Sequence, residues 1–516
     1  MLLNFIKKHS LSLFCGLILC IYFVSVMIIN FSGNPYFYST DMYSDMCYAT
    51  EVWEHKSIFP EGWIFGNQFY VVATPVLAAL FYGIFGNPVI AMGIASTLMG
   101  ICLLFSFNWM LKAVFPSVKH RLLGAAVFMS LLLAYGGPVY ETKGWQLLFT
   151  MCSFYACYAI TAFLVFGCYI RGKNASVWAM ILSCAMAFCT GMQSLRQTAI
   201  MLFPLAGAEL LCVIKRCYKK EKLWNRRTVI AGLVTLFNVF GLILIRAMDI
   251  PQVEIFGNIN TIPLGKAFEN AHLAVINAFS LLADTDQLTA TLLAVIGIFG
   301  IVFFAYRFCI TKNHFGALGI CLLGLSIAGI LALDIFTTMN VRSIYYFLLY
   351  PLIAFMVVCL YTSGSKWMQC LIVALLVITF MKGTNQKIEP VLQQAEQGNT
   401  YGEVVSYLEE NGITTVFSGW NRAEDIAIAS GGKIKAGFWD GPTKPFVCVK
   451  YLCNPQVFDV APENCAYVFF AGSEAQYAVD AARKANVDFT LIKHFPDRNV
   501  FIYTSSVNLM ELFTNK

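Results

Sequence analysis

The chain has 516 residues, of which 58% are hydrophobic and 12% are charged, and its mean hydropathy is +0.67. Soluble domains carry about 25% charged residues, so this composition excludes an ordinary soluble globular protein. Apolar runs of about 20 residues recur along the chain and predict a polytopic helical membrane protein. The formal net charge of +6 does not indicate nucleic-acid binding, because the basic residues fall between the apolar runs.

The first predicted element is an uncleaved signal anchor. Lys7 and Lys8 precede an apolar run over residues 10–29, which is too long for the core of a signal peptide. Positive charges remain on the cytoplasmic side of a membrane, so we expect the N-terminus inside and the following stretch, residues 31–68, outside.

That outer stretch gathers acids, namely Asp41, Asp45, Glu51 and Glu54, with His55 beside them. No Gly or Pro interrupts residues 41–56, so the segment predicts a short helix with Asp41 and Asp45 on one face. Two such carboxylates can act as a base and its electrostatic partner, or can hold a divalent cation. The alternative is a polar loop of solvated acids.

Residues 69–86 form a short apolar segment with Pro75 inside it. Counting this segment as a span would place the basic loop at 112–121 outside, so we interpret it as an interfacial helix on the outer leaflet. With this segment left out of the count, about eleven spans are expected, and the C-terminus is outside. They cover residues 10–29, 89–111, 122–135, 147–170, 177–190, 198–214, 228–245, 288–310, 315–333, 344–361 and 367–381.

The composition changes near residue 386. From there to residue 516 no long apolar run occurs, and short strand and helix patterns alternate. The sequence therefore predicts a membrane domain over residues 1–385 and an extracytoplasmic α/β domain over residues 386–516. Neither a glycine-rich dinucleotide motif nor a phosphate-binding loop occurs in this second domain.

The order of these elements resembles the GT-C fold of membrane glycosyltransferases, such as the protein O-mannosyltransferases and the aminoarabinose transferases. In that family, an Asp soon after the first span precedes a Tyr-containing helix, and a Pro-containing interfacial helix ending in Phe-Gly follows. The matching residues here are Asp41, Tyr43, Tyr48, Ala49, Thr74-Pro75-Val76-Leu77 and Phe85-Gly86. Family members often carry two adjacent acids, whereas in this chain Met42 follows Asp41 and the second acid is Asp45.

The resemblance implies sugar transfer from a polyprenyl-phosphate donor to a lipid, glycan or protein acceptor at the outer face of a bacterial plasma membrane. It implies Asp41 as the first candidate for the catalytic base, Asp45 as the second, and Glu141 of the second outer loop as a further catalytic acid. Whether a divalent cation, Mg²⁺ or Mn²⁺, takes part is left open by the resemblance. For Asp41 the alternative is a helix N-cap carboxylate, and for Glu141 it is a solvated loop acid.

Four outer cations are candidates for binding the donor phosphate, namely Lys143, Arg196, Arg246 and Arg342. The alternative for each is a side chain that extends to the lipid headgroups. Tyr43 and His55 complete the predicted substrate-binding residues, with an ordinary loop position as the alternative for His55.

Three other functions compete with this one. A transporter or flippase of a lipid-linked saccharide would be expected to have charges within its spans and repeated halves. A polysaccharide polymerase or ligase would be expected to carry its large active loop late in the chain. A non-catalytic membrane protein could use the α/β domain to bind a partner.

Overall fold

The structure is a computed structural model. It describes residues 2–66, 68–133, 145–150, 155–253, 260–280, 302, 314–338, 342–419, 423–441 and 443–514. Glu141, Lys143 and all but one residue of the predicted span at 288–310 therefore lie outside the described residues.

Helices occupy most of the chain up to residue 396. Their bounds are α1 Leu2–Phe31, α2 Thr40–His55, α3 Thr74–Phe85, α4 Pro88–Lys112, α5 Val118–Leu131, α6 Trp145–Leu148, α7 Ala156–Arg171, α8 Val177–Gln193, α9 Leu195–Tyr218, α10 Arg226–Ala247, α11 Leu264–Phe279, α12 His314–Phe336, α13 Leu349–Ser363 and α14 Lys366–Glu396. Each predicted span outside the undescribed segment coincides with one of these helices, or with a pair of them at 147–170.

The length and composition of the helices confirm a multi-pass membrane protein. Within the described ranges, seven helices are long and apolar enough to cross a membrane: the part of α1 from residue 9, α4, α9, α10, α12 from residue 315, α13 with the turn before it, and α14. The shorter helices α5, α7 and α8 pack among them, and nearly all of α7 is buried. The total of eleven spans stays a prediction.

Close helix packing in the bundle depends on small residues, as the pair α8 and α10 shows. A Cβ atom at Gly241 would lie 2.2 Å from the backbone oxygen of Phe188, and one at Gly191 would lie 2.2 Å from that of Asn238. The buried Asn238 amide donates to the Ala187 carbonyl at 2.8 Å. Without side chains at the two glycines, the backbones approach closely enough for this polar bond to form.

The C-terminal part is an α/β domain, as predicted. Its sheet has the strand order β2-β1-β3-β5-β4, where β1, β2 and β3 run parallel and β5 is antiparallel to β3 and β4. The elements are α15 Gly402–Glu410, β1 Thr415–Gly419, α16 Ala423–Ala429, β2 Lys435–Trp439, β3 Cys465–Phe469, α17 Gly472–Lys484, β4 Thr490–Phe495, β5 Val500–Thr504 and α18 Leu509–Thr514.

The α/β domain shares a hydrophobic core with α2 and α3. This core joins Met42, Met46 and Ala79 to Val404 and Ile426. Because the last long helix, α14, continues to Glu396, the sheet domain follows it only after residue 396. The segment from α2 to α3 is thus enclosed between the helix bundle and the α/β domain.

Candidate functional site

Helix α2 carries the candidate acids, and its two faces have different surroundings. Ser39 occupies the N-cap position, so Asp41 lies in the first turn of the helix and is not the capping residue. Positions 41, 45, 48 and 52 recur at helical spacing and form one face. Tyr43, Cys47 and Glu54 lie on the opposite face and line a cavity against the α/β domain.

Asp45 is completely buried on the first of these faces. Burial raises the pKa of its carboxyl group well above 3.8, and the neighbouring charge of Asp41 raises it further. The Tyr70 hydroxyl interacts with the carboxylate and partly offsets the shift. Within the described parts of the chain, however, no donor reaches either Asp45 oxygen with good hydrogen-bond geometry. A carboxyl group in this environment is stable in its neutral form.

Asp41, one turn earlier, differs because water reaches its side chain. Protein atoms still surround the carboxylate closely, so desolvation raises its pKa above 3.8. The guanidinium of Arg342 opposes this shift. The carboxylate thus combines access to a substrate, a nearby cation and a raised proton affinity, which are the properties of a general base.

Arg196, at the start of α9, is held between two tyrosines. Its guanidinium donates to the Tyr155 hydroxyl at 3.3 Å and to the Tyr345 hydroxyl at 3.2 Å. Its central carbon lies 4.3 Å from the centre of the Tyr345 ring. Among the described residues, no carboxylate forms an ion pair with Arg196 or Arg342. Both cations are therefore available to an anionic ligand.

Arg196 is among the residues that line a narrow, mostly apolar cleft of about 10 Å³, which has room for about one water molecule. Ala199 and Ile200 of α9 form one wall, and Ile330 and Leu333 of α12 form the other. The cation is therefore adjacent to apolar helix surfaces, and the gap between these helices is too small in this conformation to hold a lipid chain.

The α/β domain contributes Tyr451 to the same place. Burial and the charge of Asp41 raise the pKa of this phenol to about 12, while Arg196 and Arg342 act in the opposite direction. Tyr451 therefore lies within electrostatic range of the acid and of both cations. Its ring packs on Gly66, where a Cβ atom would be 2.6 Å from a ring carbon. The neighbouring Ile64 amide donates to the Cys453 carbonyl at 3.0 Å and fixes this contact.

The loop that carries Tyr70 is anchored to the bundle. Backbone amides of Val71 and Val72 donate to the side-chain oxygen of Gln193, at the end of α8. The Tyr158 hydroxyl donates to the Gln68 side chain at 3.2 Å. Tyr70 is consequently fixed beside Asp45, and its ring centre lies 4.8 Å from that of Tyr48.

The remaining predicted site residues lie elsewhere. Tyr43 is buried, and its hydroxyl accepts from the Ala436 amide at 2.7 Å, so it joins α2 to strand β2. His55 is exposed at the end of α2, where its ring nitrogen lies 3.5 Å from the Glu51 carboxylate. Arg246 is exposed at the end of α10. The structure thus brings Arg196 and Arg342 together with Asp41, and places Tyr43, His55 and Arg246 apart from them.

The described residues do not fit a divalent metal ion. No three His, Cys, Asp or Glu side chains in these ranges gather closely enough to hold one.

Sequence reasoning missed the tyrosines of this site, namely Tyr70, Tyr155, Tyr345 and Tyr451. Tyr345 follows the predicted Arg342 closely and could have been found from that spacing. Tyr451 carries no such signal, because it lies about 410 residues after Asp41 and reaches the site only through tertiary packing.

The sequence matches no known protein family and no curated protein. Among solved structures, the chain is similar to ArnT from Cupriavidus metallidurans. The apo structure is 11% identical, with 98% of this chain and 99% of that chain covered and a TM-score of 0.39. The structure bound to undecaprenyl phosphate is 10% identical, with 97% and 98% covered and a TM-score of 0.42. With TM-scores below 0.5, these superpositions are too loose to assign residues, substrate or reaction to this chain.

Proposed function

We propose that the protein is a membrane glycosyltransferase that takes a sugar from a polyprenyl-phosphate donor and transfers it to an acceptor hydroxyl. The observation that carries this proposal is the position of Arg196. This cation has no carboxylate partner among the described residues and lies next to apolar side chains of α9 and α12. It is within electrostatic range of Tyr451, as Asp41 and Arg342 are. A lipid phosphate supplies the matching anion and apolar chain.

The reaction follows from the properties of the two aspartates. Asp41 accepts the proton of the acceptor hydroxyl as its oxygen attacks C1 of the sugar. The bond between C1 and the phosphate oxygen breaks, and the phosphate leaves with its electron pair. Arg196 and Arg342 stabilise the charge that develops on the departing phosphate. A single displacement of this kind inverts the configuration at C1.

Asp41, and not Asp45, is the proposed base. Burial raises the pKa of Asp45 and so favours its neutral form over the carboxylate that a base requires. It also lies out of reach of solvent and of an acceptor. Its proposed part is to support α2 and the Tyr70 loop, which position Asp41.

The first test is sugar transfer by purified protein in lipid nanodiscs from a panel of labelled polyprenyl-phosphate sugars. We expect Asp41→Asn to lower the rate by roughly 10²–10⁴-fold, the usual contribution of a general base. Asp45→Asn should retain most of the activity, because it replaces a neutral acid with a neutral amide of similar size. Glu61→Gln, an exposed change in the same segment, is the control for an effect of charge alone.

Two outcomes would contradict these assignments. If Asp45→Asn lost as much activity as Asp41→Asn while remaining folded, Asp41 would not be the sole base. If the wild type consumed no donor of the panel, the proposed donor class would be wrong.

Two acids inside the helix bundle bear on the transporter alternative. Glu209 accepts hydrogen bonds from Tyr169 and Thr228, each at 2.6 Å, and pairs with Arg216. Asp334 accepts from the Tyr346 hydroxyl at 2.9 Å. Acids of a transport pathway face a water-filled route, whereas these two are bound to neighbouring helices. These contacts support a structural role for both acids.

A further inference from the structure

A second cavity, of about 580 Å³, lies between the opposite face of α2 and the α/β domain. Helix α2 contributes Tyr43, Cys47, Glu51 and Glu54 to its lining, and the loop before strand β2 contributes Lys433 with the strand's first residue, Lys435. This volume is within the range of small-molecule sites. The reacting groups proposed above, Asp41, Arg196 and Arg342, are not among the residues that line this cavity.

The chemistry of the lining suits a hydroxylated ligand. Aromatic rings of Trp63, Tyr82 and Tyr451 lie on the walls, next to carboxylate, ammonium and amide groups. Glu54 and Lys435 have no ion-pair partner in the described part of the chain. Glu51, in contrast, accepts from the Asn454 amide at 3.0 Å, so its carboxylate is already fixed. Flat rings beside separated donors and acceptors match the apolar face and the hydroxyl groups of a sugar.

Tyr451 connects this cavity with the reacting groups. It lines the cavity and is also within electrostatic range of Asp41, Arg196 and Arg342. A ligand that fills the cavity as far as Tyr451 would therefore contact a residue that is also within electrostatic range of Asp41. The two faces of α2 would then bind the two substrates of one reaction.

We infer that this cavity binds the acceptor, and that the acceptor presents a saccharide to it. That the saccharide is the acceptor rests on the proposed function, whereas the binding of a saccharide in this cavity is independent of that function. In the reaction, the saccharide's free hydroxyl is the nucleophile, and its proton passes to Asp41.

The test is direct binding to the full-length protein in nanodiscs without any donor. The probes are lactose, chitobiose, glucuronic acid and inorganic phosphate, measured by titration calorimetry and saturation-transfer NMR. We expect at least one of the saccharides to bind. Glu54→Gln and Lys435→Gln should each weaken that binding about tenfold, which corresponds to the loss of one charge-assisted hydrogen bond. Glu61→Gln, outside the cavity, should leave it unchanged.

Three results would overturn the inference: no saccharide binds, only phosphate binds, or the Glu54 and Lys435 variants bind as the wild type does. A wild type that binds a saccharide in this cavity but consumes no donor would support the saccharide site and overturn the proposed function. If the wild type consumes donor but its saccharide binding is insensitive to the cavity variants, the proposed function is supported and the saccharide site is overturned.

Discussion

Asp41 and Asp45 are one turn apart on α2, yet their surroundings give them different chemistry. Water and the Arg342 guanidinium reach Asp41, whereas Asp45 is enclosed among side chains that include Tyr70. The same residue type is therefore accessible to a substrate at one position and is a buried acid that favours its neutral form at the other. By helical spacing alone the two carboxyl groups are equivalent. They differ in how deeply each is buried, and this difference becomes visible only in the folded structure.

The buried acid predicts a pH-dependent stability. The pKa of Asp45 is raised on folding, so its favourable contribution is complete below the unfolded pKa of about 4 and is lost as the pH rises towards the folded pKa. Asparagine at this position does not titrate. We expect Asp45→Asn to gain stability over the wild type as the pH rises above about 4, by up to about 1.4 kcal/mol per pH unit.

Thermal unfolding in nanodiscs between pH 4 and pH 8 measures this difference. A gap between Asp45→Asn and the wild type that stays constant with pH would show that Asp45 keeps an ordinary pKa. Glu61→Gln, which changes an exposed acid, should show no trend with pH.

Among the elements, α8 and α10 form the crossing that fixes the end of α8 near the candidate site. Gln193, the last residue of α8, holds the loop of Tyr70, and Arg196 follows three residues later. The close contact at Gly191 and Gly241 determines where that end lies. Packing between two helices thus positions both the support of Asp45 and the cation of the cleft.

A methyl group at this crossing should separate the helices. Gly241→Ala would place its Cβ atom 2.2 Å from the Phe188 carbonyl oxygen, so we expect a loss of about 1–3 kcal/mol of stability, typical of overpacking. Gly232→Ala on the same helix has no atom within 4 Å of the added carbon, so it should be neutral or slightly stabilising. Unfolding followed by tryptophan fluorescence compares the two. Equal effects would mean that the crossing tolerates a methyl group.

At the scale of the whole molecule, the site is assembled from two domains. The helix bundle supplies Arg196, the segment between α12 and α13 supplies Arg342, and the α/β domain supplies Tyr451. The core shared by α2, α3 and the sheet domain keeps them together. We therefore expect the α/β domain to be required for transfer and not only for attachment of a partner.

A double-mutant cycle at the contact of Gly66 and Tyr451 tests this expectation. Gly66→Ala would push its Cβ atom into the Tyr451 ring and displace it from the site, while the backbone at Gly66 accepts alanine because its φ is not positive. Both Gly66→Ala and Tyr451→Ala should lower transfer, and the double variant should be no worse than Tyr451→Ala alone, because the clash is gone. Losses that simply add would show that the two positions act independently.

The sequence by itself determined the class of protein and the position of its elements. Apolar runs must be buried in lipid or in protein and form helices, so the spans, the Asp41 helix and the later α/β domain follow from local pattern and composition. Arg196 and Arg342 were selected as candidates because charges at span ends are costly and therefore conspicuous. Tertiary structure decided which acid is exposed and which cations lie near it. It also brought Tyr451 of the second domain to the site and formed the 580 Å³ cavity between that domain and α2. These properties depend on contacts between residues far apart in the chain, and burial, which sets both pKa and access, is a property of the packed molecule.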